Sequence, residues 1–160
     1  MAIPYVGPMD MIDFRRARSS DLPAIIALLA DDPLGAERED LGPPLLLAYG
    51  AAFAAIESDP NQLLAVVTDN ERVIGTLQIT FIQGLSRKGG LRGQIEAVRI
   101  AADRRGAGLG RRAFDWAIAE CRARGCCLVQ LTTDRGRSEA HRFYDQLGFV
   151  ASHLGYKKPL

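Results

Sequence analysis

The segment RRGAGLG, from Arg104 to Gly110, contains the residues whose types and spacing most directly indicate a chemical role. Its three glycines alternate with other residues and stand directly before a segment with helical periodicity. Glycine lets the backbone take positive φ angles and approach a ligand closely. The unpaired N–H groups of a first helical turn, together with the helix dipole, favour a bound phosphate. Because Arg105, Arg111 and Arg112 add positive charge, the segment predicts an anion-binding loop.

Three interpretations of this loop stay open on the residues alone. Gly108-x-Gly110-x-x-Ala113 fits the dinucleotide fingerprint G-x-G-x-x-G/A, although in that motif the first glycine follows the strand almost directly and here AADRRGA intervenes after Ile100. Arg105-x-x-Gly108-x-Gly110 is a second pattern. An ordinary glycine-rich connection is the third, because short glycine motifs are common. A Walker-type phosphate loop is excluded, since no Gly-Lys-Ser/Thr follows.

Periodicity places the loop inside a strand–helix–strand unit. Residues 94–100, QIEAVRI, read as a strand that ends before the loop. Leu109 to Arg124 carry apolar residues at helical spacing, and Gly125 fits the position after a helix end. Residues 126–132 are almost continuously apolar, as in a buried parallel strand. The loop therefore lies where a strand passes into a helix that leads to a parallel neighbour.

The remaining segments predict an antiparallel meander before this unit and a helix with a strand after it. They are a strand at 11–17, a helix capped by Ser20, a helix from Leu45 to Ser58, two strands joined by a turn at 68–72, a helix from Ser138 to Leu147 that Gly148 ends, and a closing strand from Phe149. The order β-α-α-β-β-β-α-β-α-β predicts one α/β domain over residues 11–160, preceded by a short extension of residues 1–10.

Composition excludes several classes of protein. The net charge is +1, so no nucleic-acid partner is expected. No apolar run approaches the roughly 20 residues of a membrane helix, and the N-terminal residues do not resemble a secretory signal. Three cysteines, Cys121, Cys126 and Cys127, lack metal-ligand spacing, so no metal is expected and they are interpreted as reduced thiols buried in the core of a cytoplasmic protein.

Two motifs in the same chain resemble the GCN5-related N-acetyltransferases (GNAT family). Arg105-x-x-Gly108-x-Gly110 resembles their acyl-CoA signature Q/R-x-x-G-x-G/A, and residues 95–110 resemble their fourth strand and pyrophosphate loop. EAHRFYDQLGF, residues 139–149, resembles their C-terminal A-x-x-F-Y-x-x-L-G-F element. The element order agrees over residues 11–158. The resemblance implies an acyltransferase with a mixed sheet of six to seven strands and helices on both faces.

The resemblance also implies where acetyl-CoA, the co-substrate of this family, would bind. The fourth and fifth strands part at their ends, and the pantetheine arm would lie against the backbone of the fourth strand. The N–H groups that follow would receive the pyrophosphate. The implied cofactor-binding residues are Val98, Arg99, Ile100, Arg105, Gly106, Ala107, Gly108, Leu109, Gly110, Arg111, Arg137 and Tyr144.

Direct attack of an amine on a thioester needs a proton acceptor for the amine, a donor for the oxyanion and a proton for the thiolate. Tyr144 matches the tyrosine that this family places beside the thioester sulfur, so we expect it to be the general acid; the alternative is a ring that only packs, like Phe143. Glu96 is the candidate base, directly or through a water, or else a partly buried structural carboxylate that pairs with Arg99. The Val98 N–H is the candidate oxyanion donor.

Other polar residues near these motifs keep two interpretations each. Arg137 stands where the family often has an asparagine, and it could bind a phosphate or carboxylate bidentately or be solvated. His141 and His153 could act as bases, but a surface or hydrogen-bonded histidine is the commoner case.

The acceptor expected from the family is the primary amine of a small molecule, but its charge is left open. The acidic residues of segment 31–40 would attract a cationic amine, whereas the basic segment 86–90 would favour an acidic acceptor. Two other functions stay open: a CoA-responsive binding module without turnover, and a dinucleotide-binding domain. Sheet edges in this family often pair between subunits, so a homodimer is compatible with the sequence.

Overall fold

The computed structural model describes residues 11–160, and the expected extension at residues 1–10 lies outside them. The described residues form one five-stranded sheet, in the order β1-β2-β3-β4-β5. The strands are β1 (Ile12–Arg16), β2 (Gln62–Asp69), β3 (Arg72–Gln83), β4 (Leu91–Ile100) and β5 (Leu128–Gln130). The helices are α1 (Leu22–Ala30), α2 (Pro33–Ala36), α3 (Leu47–Ser58), α4 (Ser86–Gly89), α5 (Leu109–Ala123) and α6 (Ser138–Gln146).

The first four strands form the predicted antiparallel meander, and β4 and β5 are parallel. Strand β4 begins at Leu91, three residues before the strand predicted at residues 94–100. Strand β5 pairs with β4 only from Leu128 to Gln130, fewer residues than the apolar run 126–132 suggested. Helix α5 connects the two strands, as the βαβ unit predicted.

The core has one layer on each side of the sheet. Helix α5 lies on one face, where Ala113, Phe114 and Ala117 are buried. Helices α1 and α3 lie on the other face, where Ile25 and Phe53 pack with alternate residues of β2. Each strand therefore turns one set of side chains toward α5 and the next set toward α1 and α3.

Two sequence predictions about the sheet are wrong. The sheet has five strands among the described residues rather than six to seven, and no closing strand follows α6. Residues 150–160 are all exposed and form no ladder with β5. Their alternating apolar residues suit a strand, but a strand also needs a neighbouring edge, and in a single chain these residues do not meet one.

No helix among residues 11–160 combines the length and the apolarity that crossing a membrane requires.

Candidate active site

The glycine loop lies at the N-terminus of α5, as predicted. Gly106 and Gly108 have φ angles of 82° and 75°, which only glycine adopts easily. None of the N–H groups from residue 106 to residue 111 donates to a backbone oxygen of the described chain. A Cβ atom added at Gly106 or Gly108 would meet open space. The loop therefore carries a run of N–H groups without backbone acceptors at the positive end of the α5 dipole.

The side chains of Arg105 and Arg111 form hydrogen bonds with other parts of the protein. Arg105 donates through Nε to the Ile100 carbonyl oxygen (3.0 Å) and through Nη2 to Asp31 Oδ2 (2.7 Å). Arg111 donates to the carbonyl oxygen of Gln146, at the end of α6 (3.1 Å). The N–H of Arg105 bonds the carbonyl oxygen of Ala102. The donors begin at residue 106, one residue later than predicted.

An opening between β4 and β5 lies beside this loop. The two strands pair no further than Gln94 and Gln130, so the last six residues of β4 have no strand on that side. A bulge explains the divergence: Ala97 has a φ angle of +53°, and the register against β3 shifts there. A bulge bends its strand and increases the local twist. Val98, Arg99 and Ile100 follow the bulge and line the opening.

Tyr144 lies on α6 within an aromatic cluster that faces α5. Its ring makes edge contacts with Phe114 (5.6 Å between centroids) and Phe149 (6.2 Å). Phe143 also contacts Phe114, so the two neighbouring rings share one partner. Burial raises the pKa of Tyr144, and the positive charges of Arg137 and then Arg99 partly offset that rise. The hydroxyl thus stays protonated near two guanidinium groups.

Glu96 lies on β4 one residue before the bulge and opposite Gln78 of β3. It is exposed, which differs from the partial burial expected. No ion pair within residues 11–160 involves it, so it does not pair with Arg99. Arg99 instead contacts Asp32 (3.1 Å) and donates to the Val98 carbonyl oxygen (3.0 Å). Glu96 is therefore available to a proton donor from solvent or substrate.

Both histidines are hydrogen-bonded to other residues of the protein. His141 Nε2 lies 2.9 Å from the carbonyl oxygen of Asp134, and His153 Nδ1 lies 2.8 Å from Ser152 Oγ. Arg137 precedes α6 without capping it through its side chain. The positive charge of Arg137 lowers the pKa of Tyr144, against the effect of burial.

Part of the acidic segment 31–40 is engaged in contacts within the protein. Asp31 pairs with Arg105, and Asp32 accepts from the Gly35 N–H (2.6 Å) and contacts Arg99. Glu39 accepts from the hydroxyl of Tyr49 (2.9 Å). These contacts stabilise the connection between α1 and α3 and pair Asp31 and Asp32 with cations, whereas Glu37, Glu39 and Asp40 take part in no ion pair of the described residues.

A polar row across the sheet was not predicted from the sequence. Gln62, Thr80, Gln94 and Gln130 lie opposite one another on four adjacent strands. Thr80 Oγ1 donates to Gln62 Oε1 (3.0 Å), and Gln130 Nε2 donates to Gln94 Oε1 (2.7 Å). The signal in the sequence is the alternation of Arg92, Gln94 and Glu96, which gives β4 one polar face.

The cysteines divide by location, and the expectation of three core thiols is only partly met. Cys121 is buried, Cys126 is half-buried and Cys127 is exposed. Burial raises the pKa of Cys121 to about 12, so this thiol is inert near neutral pH. Among the described residues no cluster of metal-binding side chains was found.

Comparison with known proteins adds an independent line of evidence. The sequence model of the acetyltransferase (GNAT) family matches residues 22–149. The aminoalkylphosphonate N-acetyltransferase of Salmonella typhimurium (strain LT2) is 28% identical over 152 residues, which cover 95% of this chain and 94% of that protein.

Solved structures show the same fold. A crystal structure described as a transcriptional regulator from Bacillus halodurans C-125 has a TM-score of 0.90 and 44% identity, and the match covers 93% of this chain and 99% of that one. A Trypanosoma brucei acetyltransferase has a TM-score of 0.75 and 26% identity, with 93% and 99% covered. The predicted fold class is confirmed apart from its strand count. With a family model that matches most of its length, the chain belongs to the GNAT family of acetyltransferases and is an acyltransferase.

Proposed function

We propose that this enzyme transfers the acetyl group of acetyl-CoA to the primary amine of a small molecule, by direct attack in a ternary complex. The observation that carries the proposal is the run of unpaired N–H groups at residues 106–111, beside the opening between β4 and β5. The GNAT family uses acetyl-CoA as its co-substrate. The loop suits the diphosphate of this molecule, and the opening suits its pantetheine arm. We propose further that residues 11–160 act as one domain.

The residues present fit a CoA diphosphate and pantetheine arm. The N–H groups of residues 106–111 would receive the diphosphate, because they are unpaired and stand at the positive end of α5. Arg105 supports this loop by bonding Ile100 and Asp31 rather than by touching phosphate. The backbone of Val98, Arg99 and Ile100 would pair with the amide groups of the arm.

In the proposed reaction Glu96 accepts one proton and Tyr144 donates one. When bound, acetyl-CoA supplies a thioester whose carbonyl carbon can accept an amine. Glu96 would remove a proton from the ammonium form of the acceptor, so that the neutral amine can attack the carbonyl carbon, and water would take the second proton from the nitrogen as the amide forms. The Val98 N–H would stabilise the carbonyl oxygen. Tyr144 would donate its hydroxyl proton to the sulfur as the C–S bond breaks. Arg99 and Arg137 would stabilise the phenolate that Tyr144 briefly becomes, before solvent returns the proton.

A small-molecule acceptor is supported by the curated relative, whose name specifies an aminoalkylphosphonate. Such amines are therefore the first acceptors to assay.

The three cysteines form no disulfide with one another, which agrees with a protein that works in the cytoplasm, where thiols stay reduced.

We propose that two copies of the chain associate. Strand β5 is an edge strand, and residues 150–160 are exposed and apolar at alternate positions: Val150, Leu154, Tyr156 and Leu160. An open edge and an unpaired alternating segment can complete one another. Since each copy carries both, two copies can pair reciprocally about a two-fold axis.

Thermal unfolding with acetyl-CoA, CoA and NAD in turn tests the cofactor. A ligand at a hundred times its Kd adds about 2.7 kcal/mol, which for a domain of this size raises Tm by roughly 5–11 °C. We expect that rise with acetyl-CoA and CoA and none with NAD. Release of free CoA thiol in the presence of an amine then tests transfer. A rise with NAD alone would overturn the proposal in favour of a dinucleotide-binding function.

A further inference from the structure

Arg92 is a half-buried arginine without an acidic partner. No ion pair within residues 11–160 involves it, and its Nε is buried without a hydrogen-bond acceptor. Arg99 also has a buried, unpartnered Nε, but its terminal nitrogens bind Asp32 and the Val98 carbonyl oxygen. Buried polar groups in folded proteins nearly always have partners, and an unmet one is costly. Arg92 thus presents an unused anion-binding group.

Strand β4 connects Arg92 to the proposed catalytic residues along one face. Arg92, Gln94 and Glu96 alternate on β4 and therefore point to the same side of the sheet. Arg92 and Glu96 are separated by about 13 Å between Cα atoms, at roughly 3.3 Å per residue. Both side chains are long enough to reduce that gap. A molecule whose amine lies at Glu96 can place its other end at Arg92.

The amides between these two residues are ordered by one another. Gln94 is buried, and its Oε1 accepts from Gln130 Nε2. Gln62 Oε1 accepts from both Thr80 and Gln78 (3.0 and 2.9 Å). The hydrogen bond between Gln94 and Gln130 uses one half of each amide, which leaves the Nε2 of Gln94 and the Oε1 of Gln130 for other partners. The surface between Glu96 and Arg92 is therefore held in place and can form hydrogen bonds with a ligand.

Charge around this surface favours an anion at the Arg92 end. Arg87 and Lys88 lie in the turn α4, just before β4, and take part in no ion pair of the described residues. Two of the five acids of segment 31–40 are neutralised, because Asp31 and Asp32 pair with Arg105 and Arg99. The sequence left these two charges in conflict, and the tertiary contacts favour the basic end.

We propose that Arg92 binds an anionic group of the acceptor, which is a primary amine that also carries a phosphate, phosphonate or carboxylate. This inference rests on the proposed function for the location of the amine. The amine lies at Glu96, the middle of the molecule bonds the Gln94–Gln130 pair, and the anion lies at the guanidinium of Arg92. Arg87 and Lys88 raise the local concentration of anions without contacting the bound one.

The test compares amines that differ only in the anion. Calorimetric titration of the CoA-bound protein uses O-phosphoethanolamine against ethanolamine, and γ-aminobutyrate against butylamine, two pairs with different spacing of amine and anion. We expect the anionic member of at least one pair to bind roughly tenfold or more tighter, since charge-assisted hydrogen bonds are the stronger kind. In Arg92→Met that preference disappears, and in Arg92→Lys part of it returns.

Arg122→Met is the matched control, because it removes the same charge from the exposed end of α5. It should keep the full preference of the wild type. No preference in either pair for the wild type, or an unchanged preference in Arg92→Met, would overturn the inference. Thermal unfolding with CoA reports separately on the cofactor loop. A protein that fails to bind CoA refutes the proposed function, while titration with the same amines without CoA still reads the contribution of Arg92.

Discussion

At the scale of single residues, the site depends on side chains whose roles are set by their neighbours. Tyr144 is the clearest case, because its ring packs on Phe114 while its hydroxyl lies near Arg99 and Arg137. Packing and catalysis were alternatives on the sequence, and the structure is compatible with both at once. Arg105 shows the opposite outcome: a residue of the motif uses its side chain to hold the loop to Asp31.

Replacing Tyr144 by phenylalanine should lower kcat by roughly a hundredfold or more, the usual contribution of a general acid. The pKa of Tyr144 is raised, so its phenol stays protonated through neutral pH and loses its proton only above the ordinary tyrosine range. The loss of kcat should therefore be the same at every pH between about 6 and 9. Steady-state kinetics over that range measure it. Tyr156→Phe, in the exposed C-terminal segment, is the control and should behave like the wild type.

Glu96→Gln should lower kcat/KM most strongly at neutral pH, where the acceptor amine is protonated. The loss should shrink as pH approaches the amine's own pKa, about 10 for an alkyl amine, because a neutral amine needs no base. The pH profile of kcat/KM measures this. Glu71→Gln, at the exposed turn between β2 and β3, removes an equal charge elsewhere. An equal loss at all pH values would contradict the role of Glu96 as a base.

At the scale of elements, helix ends show which local signals can be trusted. Gly125 and Gly148 have φ angles of 78° and 84° and end α5 and α6 as predicted, with the Cys126 N–H bonding the Cys121 carbonyl oxygen. Ser20 does not cap α1. Asp21 lies before that helix, and its carboxylate accepts from the Arg18 N–H and from Arg15 of β1.

The Asp21 contacts predict a pH-dependent stability. Two hydrogen bonds from Arg15 hold the pKa of Asp21 below its ordinary value, so its contribution to folding is present above the unfolded pKa, about 3.9, and is lost as pH falls through the lower folded value. Asp21→Asn should cost about 2 kcal/mol of unfolding free energy at pH 7. Denaturant titrations at pH 7 and below pH 4 measure the difference, which should shrink in acid. Asp115→Asn, at an exposed position of α5, is the control.

Gly93 lies where β4 passes beneath α5, and a Cβ atom there would collide with Cys121 Sγ. Gly93→Ala should therefore destabilise the protein by about 1–3 kcal/mol, the typical cost of overpacking. Cys121→Ala in the same chain should recover part of that loss, so the two changes should be non-additive. Gly155→Ala, which would meet open space, should change stability by less than about 0.5 kcal/mol. Additive losses at Gly93 and Cys121 would contradict direct contact.

At the scale of the whole molecule, the sheet ends at a short strand while a suitable segment stays unpaired. Strand β5 has three residues and one open side. Residues 150–160 follow α6 with every residue exposed. The proposed association of two copies would cover both features and would bury Leu154 and Tyr156, which are 68% and 88% exposed in one chain.

Light scattering tests this association. The wild type should have twice the monomer mass of 17.4 kDa at micromolar concentration. Leu154→Asp should shift the protein toward the monomer, because it places a charge on the segment that pairs. Leu85→Asp, at an apolar residue that is even more exposed than Leu154 and lies in the turn before β4, should leave the mass unchanged. A wild type that is monomeric at every concentration would refute the proposal.

The sequence by itself determined the local features: the glycine loop at the start of α5, the βαβ unit around it, the order of the strands and long helices as far as α6, and the helix ends at Gly125 and Gly148. Each depends on residues within a few positions of one another, and their conformational preferences act wherever the chain goes. The GNAT motifs belong to this class, because loop and helix signals are continuous in the chain. These features sufficed to predict the family, which the family model confirms.

Only the tertiary structure decided what the long-range contacts do. Four features depend on residues that are distant in the chain. They are the parting of β4 and β5 after Gln94, the pairing of Asp31 with Arg105, the polar row from Gln62 to Gln130, and the lack of an acidic partner for Arg92. Strand register sets these neighbours, and a shift of one residue would turn each side chain to the other face. The physical reason is that a charge or an amide acquires its role from the partner it meets, and folding selects the partner.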